Sequence, residues 1–329
     1  MRRRAFITLL AGAALVCPHP VVAQTTDRVR RIGILLGGAE RDPVSQTVLS
    51  ALRLGLQDRG WTEGRNVAFE IRSVEGRPDR SPALAAELVR SNVDIIVTAG
   101  TELILAAQKA SSTIPVVMAG IGDPVGSGIV ASLARPGGHV TGLSLIAPEL
   151  AGKRLQLAQE TLPGLARVAI LWNPNNASVT LRFKETEAAA RGMGLNLHSI
   201  EARQPSDFEK GLQAAARAGA QALMTTEDAL MTGHRAEIIR LAIRYRLPAV
   251  SGLRMFADAG SLLSYGPSSP DLWRRAAGYV DRIFAGTKPA DLPVEQPTKF
   301  ELIINLKAAS TLGLTIPRTV LLRADEVIQ

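Results

Sequence analysis

The chain has 329 residues and a single cysteine, Cys17. No intramolecular disulfide can form, and no cysteine nucleophile or cysteine-based metal site exists beyond residue 17. Histidine is equally sparse: His19, His139, His198 and His234 stand apart, with no HxxxH or HxH spacing, so no metal centre is expected. There is no GxSxG elbow for a serine hydrolase and no GxxxxGK[ST] loop for nucleotide hydrolysis. Residues 120–126, Gly-Ile-Gly-Asp-Pro-Val-Gly, follow an apolar run but carry GxGxxxG spacing. Pro124 stands where a dinucleotide-binding helix would begin, so no cofactor is expected. Aromatics amount to only 4%. Charge of one sign is also missing. The formal charge is +8, and Arg2, Arg3 and Arg4 supply three of it. The rest of the chain interleaves 35 Lys and Arg with 30 Asp and Glu, a solvated surface with no basic stripe, so no nucleic-acid partner is expected. No run of 18 apolar residues occurs.

What is present begins with an address label. Residues 2–4 are basic, 5–16 form an apolar run of about 12 residues, and Val21-Val22-Ala23 places small residues before a cleavage point. This reads as a secretory signal peptide over residues 1–23, and the protein is expected outside the cytoplasm, in the periplasm. Arg3-Arg4-Ala5-Phe6-Ile7 is similar to a twin-arginine signal, and Leu15-Val16 before Cys17 lacks the small residue that lipidation favours.

After the leader, short apolar runs alternate with longer amphipathic ones. Strands are predicted over 31–36, 66–73, 93–97 and 114–118, with helices over 44–59, 82–90 and 103–110. The plan repeats, with strands over 167–172, 195–200, 220–225 and 247–250 and helices over 178–191, 205–218 and 235–246. Strand–helix alternation of this kind means parallel sheets with helices on both faces. The expected fold class is therefore α/β, two Rossmann-like lobes with parallel sheets joined by a multi-strand hinge near 141–144, 263–266 and 293–299. A helix over 272–284, a strand over 300–305 and a short helix over 306–312 complete the tail. The expected partition gives the first lobe 28–143 plus about 297–329, and the second 144–264 plus about 267–292.

In parallel α/β sheets, ligands bind outside the carboxyl ends of strands, where helix N-termini present free N–H groups. The first lobe places Gly37, Gly38 and Asp42, then Thr98, Gly100 and Thr101, then Gly122 and Asp123 at these ends. The second places Asn173, Asn175 and Asn176, then Thr226, Glu227 and Asp228, then Ser251 and Arg254, with Tyr265 at the hinge. These hydroxyls, amides, glycines and opposed charges suit a small polar or zwitterionic ligand. Asp42, Asp123, Glu227 or Asp228 could hold an ammonium group, and Arg254 or a helix start a carboxylate. Each also has a structural reading: Thr101, Asp123 and Asp228 are good N-caps, and Asn173-Pro174-Asn175 is an ordinary turn.

Several stretches carry a family resemblance. They are the 31–37 strand, Gly55-Leu56, Gly60-Trp61, Gly64-Arg65-Asn66-Val67, Asp94-Ile95-Ile96-Val97 and Ile114-Pro115-Val116-Val117. They continue with Gly122-Asp123-Pro124-Val125, residues 135–142, Asn173-Pro174-Asn175 and residues 324–328. Over about residues 30–327 the chain resembles the substrate-binding proteins of ABC transporters, of the type I periplasmic fold, especially the subgroup with tryptophan- and other aromatic amino acid-binding members. The resemblance implies no catalysis: a small solute is captured between the lobes by hinge closure and delivered by a monomer to an ABC permease in the inner membrane. Its ligand contacts would fall on the strand-end residues above, with Tyr265 and Phe256 as the aromatic candidates. An exported sensor module serving a membrane receptor is the alternative.

Overall fold

The computed structural model describes residues 28–145 and 149–329, so the expected leader with Cys17 lies outside the described residues. The first lobe runs β1 (Arg30–Leu36), α1 (Pro43–Gln57), β2 (Val67–Ser73), α2 (Ser81–Arg90), β3 (Ile95–Thr98), α3 (Thr101–Ala110), β4 (Val116–Ala119) and β5 (Val140–Leu143). Its five strands form a parallel sheet in the order β2-β1-β3-β4-β5.

The second lobe follows with α4 (Glu149–Thr161), β6 (Arg167–Trp172), α5 (Ala177–Gly192), β7 (Asn196–Glu201), α6 (Asp207–Arg217) and β8 (Ala222–Thr225). It continues with α7 (Ala229–Gly233), α8 (Arg235–Arg244), β9 (Ala249–Ser251), α9 (Arg254–Asp258) and β10 (Leu263–Pro267). The tail adds α10 (Ser269–Phe284), β11 (Phe300–Asn305), α11 (Leu306–Leu312), α12 (Arg318–Leu321) and β12 (Glu326–Ile328). The second sheet has seven strands in the order β12-β11-β10-β9-β8-β6-β7, parallel except for the β10–β11 pair.

The expected crossing points hold, but the tail does not go where it was expected. β11 and β12 pair onto β10 in the second sheet, so residues 300–329 do not return to the first lobe. Instead α10 packs on the first lobe: Leu272, Trp273, Ala276, Ala277 and Val280 are buried in one core with Val48, Leu52 and Leu56 of α1. The reason is parity. Three crossings, after β5, after β10 and before β11, carry a chain that begins in one lobe to an end in the other.

α1 shows how local sequence sets such an element. Asp42 caps its N-terminus by accepting from the Val44 amide at 2.9 Å, Pro43 occupies the first turn, and Val48, Leu49, Leu52 and Leu56 line the buried face. Gly55 lets α10 approach: a Cβ there would overlap the Arg274 carbonyl. Trp61 fastens the following turn by donating from Nε1 to Asp281 of α10 at 2.9 Å and meeting Phe284 edge-on at 5.0 Å. The Gly60-Trp61 stretch is thus a packing feature, remote from the cleft. Among the described residues no helix is long and apolar enough to cross a membrane, and no cluster of His, Cys, Asp or Glu could hold a metal ion.

Candidate functional site

The carboxyl ends of both sheets face each other, and the lobes touch across the gap. Asp42 at the start of α1 pairs with Arg235 of α8. Glu102 of α3 accepts from Asn176 Nδ2, at the start of α5, at 2.7 Å. The Asp123 amide donates to Ser178 Oγ at 2.9 Å. Gly76 and Gly233 meet so closely that a Cβ on either would overlap the other.

Two adjoining cavities of about 150 and 140 Å³ lie in this cleft and share Leu145, Glu227 and Leu253 as their partition. Each has room for about five waters at about 30 Å³ apiece, the scale of a small organic solute. The first is built mostly from the second lobe, by α4, α5 and the loop after β8, with Gly122 and Asp123 closing it from the first lobe. The second lies between the lobes. Leu36, Val48, Leu272 and Trp273 form an apolar wall, and Gly38, Ser45, Gly100, Asp228 and Arg235 bring polar groups to it. Gly100 starts α3 at φ +92° with no side chain capping the helix, so its backbone must take a conformation that favours glycine.

The polar groups between the chambers form one network. Glu227 is 8% exposed. Its carboxylate pairs with Arg182 at 2.6 Å and with Arg154 at 3.0 Å. Arg154 Nε also donates to the Tyr265 carbonyl at 2.7 Å, and Arg182 to the Glu227 carbonyl at 2.8 Å. Burial lowers the Arg154 pKa, and the Glu227 carboxylate opposes that shift. Gly252 makes room for the network, since a Cβ there would run into Glu227 Oε1 and the Arg154 guanidinium, and Gly266 in turn makes room for the Gly252 carbonyl. Asp228 is 4% exposed. Its Oδ1 accepts from the Met231 amide at 2.8 Å, capping α7, while Oδ2 has no hydrogen-bond partner among the described residues. Burial pushes its pKa up, against the Met231 amide and the Asn173 side chain. Glu102 faces it from the other lobe, and burial together with the Asp228 charge pushes Glu102 up to about 7.

Of the residues predicted from strand ends, Gly37, Gly38, Asp42, Gly100, Gly122, Asp123, Thr226, Glu227 and Asp228 line these cavities. Asn173 is buried, accepts from the Asn175 amide at 3.0 Å and stands beside Asp228. The others are directed elsewhere. Thr98 donates to the Leu35 carbonyl inside the sheet, and Thr101 is buried in the first turn of α3. Asn175 is an exposed turn residue. Ser251 is buried between strands beside Ser261. Arg254 is no carboxylate holder for the cleft, because Glu326 of β12 takes its guanidinium, whose Nη2 donates to Oε1 at 2.7 Å. The Tyr265 ring lies against Phe300, centroids 6.2 Å apart, and Phe256 is fully buried in the second lobe's core. Among the described residues, Trp273 is the aromatic side chain that lines one of these two cleft cavities.

Arg154, Arg182, Arg235, Glu102, Ser178 and Trp273 were not singled out, because they lie on helices and not in strand-end loops. One signal was present: Ser178, Arg182, Glu185 and Thr186 recur at three- and four-residue spacing, which gives α5 a polar stripe facing the cleft.

Residues 40–328 match the family model described as ABC transporter substrate binding protein. The chain is 23% identical over 275 residues, 82% of its length and 79% of the relative's, to a tyrosine-binding protein of Clostridioides difficile (strain R20291). Among solved structures it is similar to a conserved domain protein from Vibrio cholerae O1 biovar El Tor, with TM-score 0.85 and 27% identity, covering 91% of this chain and 100% of that one. It also resembles an ABC domain from Streptococcus pneumoniae solved in complex with L-Trp, with TM-score 0.84 and 24% identity, covering 91% and 99%. The fold is thus that of the type I periplasmic binding proteins: two α/β lobes with a cleft between them.

Proposed function

Because the chain belongs to the family of ABC transporter substrate-binding proteins, we propose that it is the extracytoplasmic subunit of an uptake system and captures a small amino-acid-like solute between its lobes. The observation that carries this reading is the inter-lobe cavity with an apolar wall on one side and Asp228 on the other. A buried carboxylate oxygen without a donor is costly in isolation and is relieved by a charged donor such as an ammonium group. The Leu36, Val48, Leu272 and Trp273 wall suits an apolar side chain. The binding-protein relatives named for tyrosine and solved with L-Trp support the same ligand class.

Capture proceeds by rotation of the lobes about the three connections after β5, after β10 and before β11. Delivery is to an ABC permease in the inner membrane, the protein acts as a monomer, and residues 1–23 direct export. No residue is assigned a catalytic role and no cofactor is invoked.

Thermal melting of the purified protein against a panel of amino acids, aromatic acids, short peptides and nucleosides tests the reading. A ligand at about 1,000 times its dissociation constant adds about 4 kcal/mol. That is a rise of about 8–16 °C for a protein of this size. A rise confined to amino acids supports the proposal, and a rise confined to another class, or none, refutes the amino-acid reading.

A further inference from the structure

The seam between the lobes brings carboxylates face to face. Glu102 of α3 and Asp228 before α7 come from opposite lobes. Glu102 Oε2 and Asp228 Oδ2 are both buried, and neither has a hydrogen-bond partner among the described residues. The other oxygens are taken, Glu102 Oε1 by Asn176 Nδ2 and Asp228 Oδ1 by the Met231 amide. Facing carboxylates with oxygens withheld from water oppose each other's ionisation, and a proton on either turns a free oxygen into a donor. A second pair repeats the arrangement. Asp123 of the first lobe and Glu185 of α5 line one chamber together, and burial, followed by the Asp123 charge, pushes the Glu185 pKa up. Glu185 is exposed, so its share is the smaller.

The charged groups around Glu102 and Asp228 leave that opposition in place. Arg182 acts on both acids, but Glu227 holds its guanidinium through carboxylate and carbonyl, and the Glu227 charge itself raises the Asp228 pKa. Arg235 lines the same cavity as Asp228 and is held by Asp42. At the start of α8, which packs against α7, His234 stands 3.7 Å from Glu237. On α2, which packs beside α3, Glu87 is held by Arg72. Arg90 and Lys109 lie in the last turns of α2 and α3, whereas Glu102 is in the first turn of α3. The neighbouring strands β3 and β4 bring no charge.

We propose that this seam is a proton-closed clasp: in the solute-free protein the lobes close as Glu102 and Asp228 take up one proton from solvent, and part as they lose it. The clasp rests on the lobe motion proposed above and is independent of the solute's class. The Asp42–Arg235 pair and the Gly76–Gly233 contact hold the lobes together, and the facing acids oppose closure until protonated. Solute enters only while the lobes are apart, so acid withholds the cleft. Closure pushes Glu102 up to about 7, and separation returns it to the ordinary value of about 4.3. The ratio of closed to open protein should then rise on the order of 50-fold to 100-fold as pH falls from about 8 to about 5. The coupling is reciprocal, so forcing the lobes apart must lower the Glu102 pKa.

The test follows Glu102 by carbon-13 NMR of glutamate carboxyl groups, assigned by the signal lost in Glu102→Gln, and lobe separation by X-ray scattering on the same solute-free samples. Gly233→Val wedges the seam, since even a Cβ there overlaps Gly76. Asp42→Asn removes the ion pair and keeps a capping side chain for α1. In the wild type Glu102 should titrate at about 7. In either variant the radius of gyration should rise and Glu102 should titrate toward about 4.3. An expanded variant in which Glu102 titrates as in the wild type overturns the clasp and leaves the lobe motion standing. So does a compact wild type in which Glu102 titrates at about 4.3. If both variants stay as compact as the wild type from about pH 5 to about pH 8, the lobe motion fails and the clasp fails with it.

Discussion

At the scale of single residues, glycines and one ion network decide what the cleft can hold. Gly252 is small because Arg154 passes over it to reach Glu227 and the Tyr265 carbonyl, and Gly266 is small because the Gly252 carbonyl lies against it. Gly252→Ala is expected to displace that guanidinium. Overpacking of this kind costs about 1–3 kcal/mol. The denaturant midpoint of the variant should fall accordingly, and an unchanged midpoint would show that the network has slack. The strand-end glycines and acids were legible in the sequence, since strand ends are where parallel sheets bind ligands. Arg182 and Arg154 were not, because a guanidinium on a long stem reaches the cleft from the middle of a helix. Arg254 was misread for the complementary reason: its partner, Glu326, lies 72 positions further along the chain.

At the scale of elements, periodicity was a sound guide and destination was not. The apolar spacing of α1 and of the helix at 269–284 marks both as amphipathic, and both are. Nothing in either spacing states that each is the other's neighbour. That contact depends on Gly55, which admits the Arg274 carbonyl and Ala277 against the α1 backbone. Gly55→Ala should force the two helices apart. An effect of about 1–3 kcal/mol is expected, read as a lower melting temperature with little change in helix content by circular dichroism. A melting temperature equal to that of the wild type would mean that the interface can relax.

At the scale of the whole molecule, a half-buried acid and a buried one oppose each other across the lobes. Glu102 on α3 faces Asp228 before α7, with Arg182 of α5 as the nearby cation and Asn176 as its neutral partner. Its pKa is raised from 4.5 to about 7, so the folded, touching lobes bind a proton that the unfolded chain releases. Stability should fall as pH rises through that window, because the native state then holds more protons than the unfolded state. The same repulsion exists only while the lobes touch, so a rise in pH should also favour their separation in the absence of solute. Glu102→Gln is expected to flatten both responses. Urea midpoints and the radius of gyration by X-ray scattering, followed from about pH 5 to about pH 8, would check this. A wild type and a Glu102→Gln variant with identical slopes would contradict it.

Some of this protein is written in local order along the chain. Alternating apolar runs specify strands and helices, the glycine and polar residues after each strand mark one edge of each sheet, and the basic, apolar and small residues at the start are those expected of an export label. These properties depend on neighbours a few residues apart, so the sequence alone suffices to read them. Which lobe receives the tail, which side chains meet Glu227, and which polar atoms stay unanswered depend on residues far apart in sequence. Arg154 and Tyr265 are separated by 111 positions, and Asp42 and Arg235 by 193. Only the packing of the two sheets brings such groups within reach of one another, and the proposed solute site lies at their meeting.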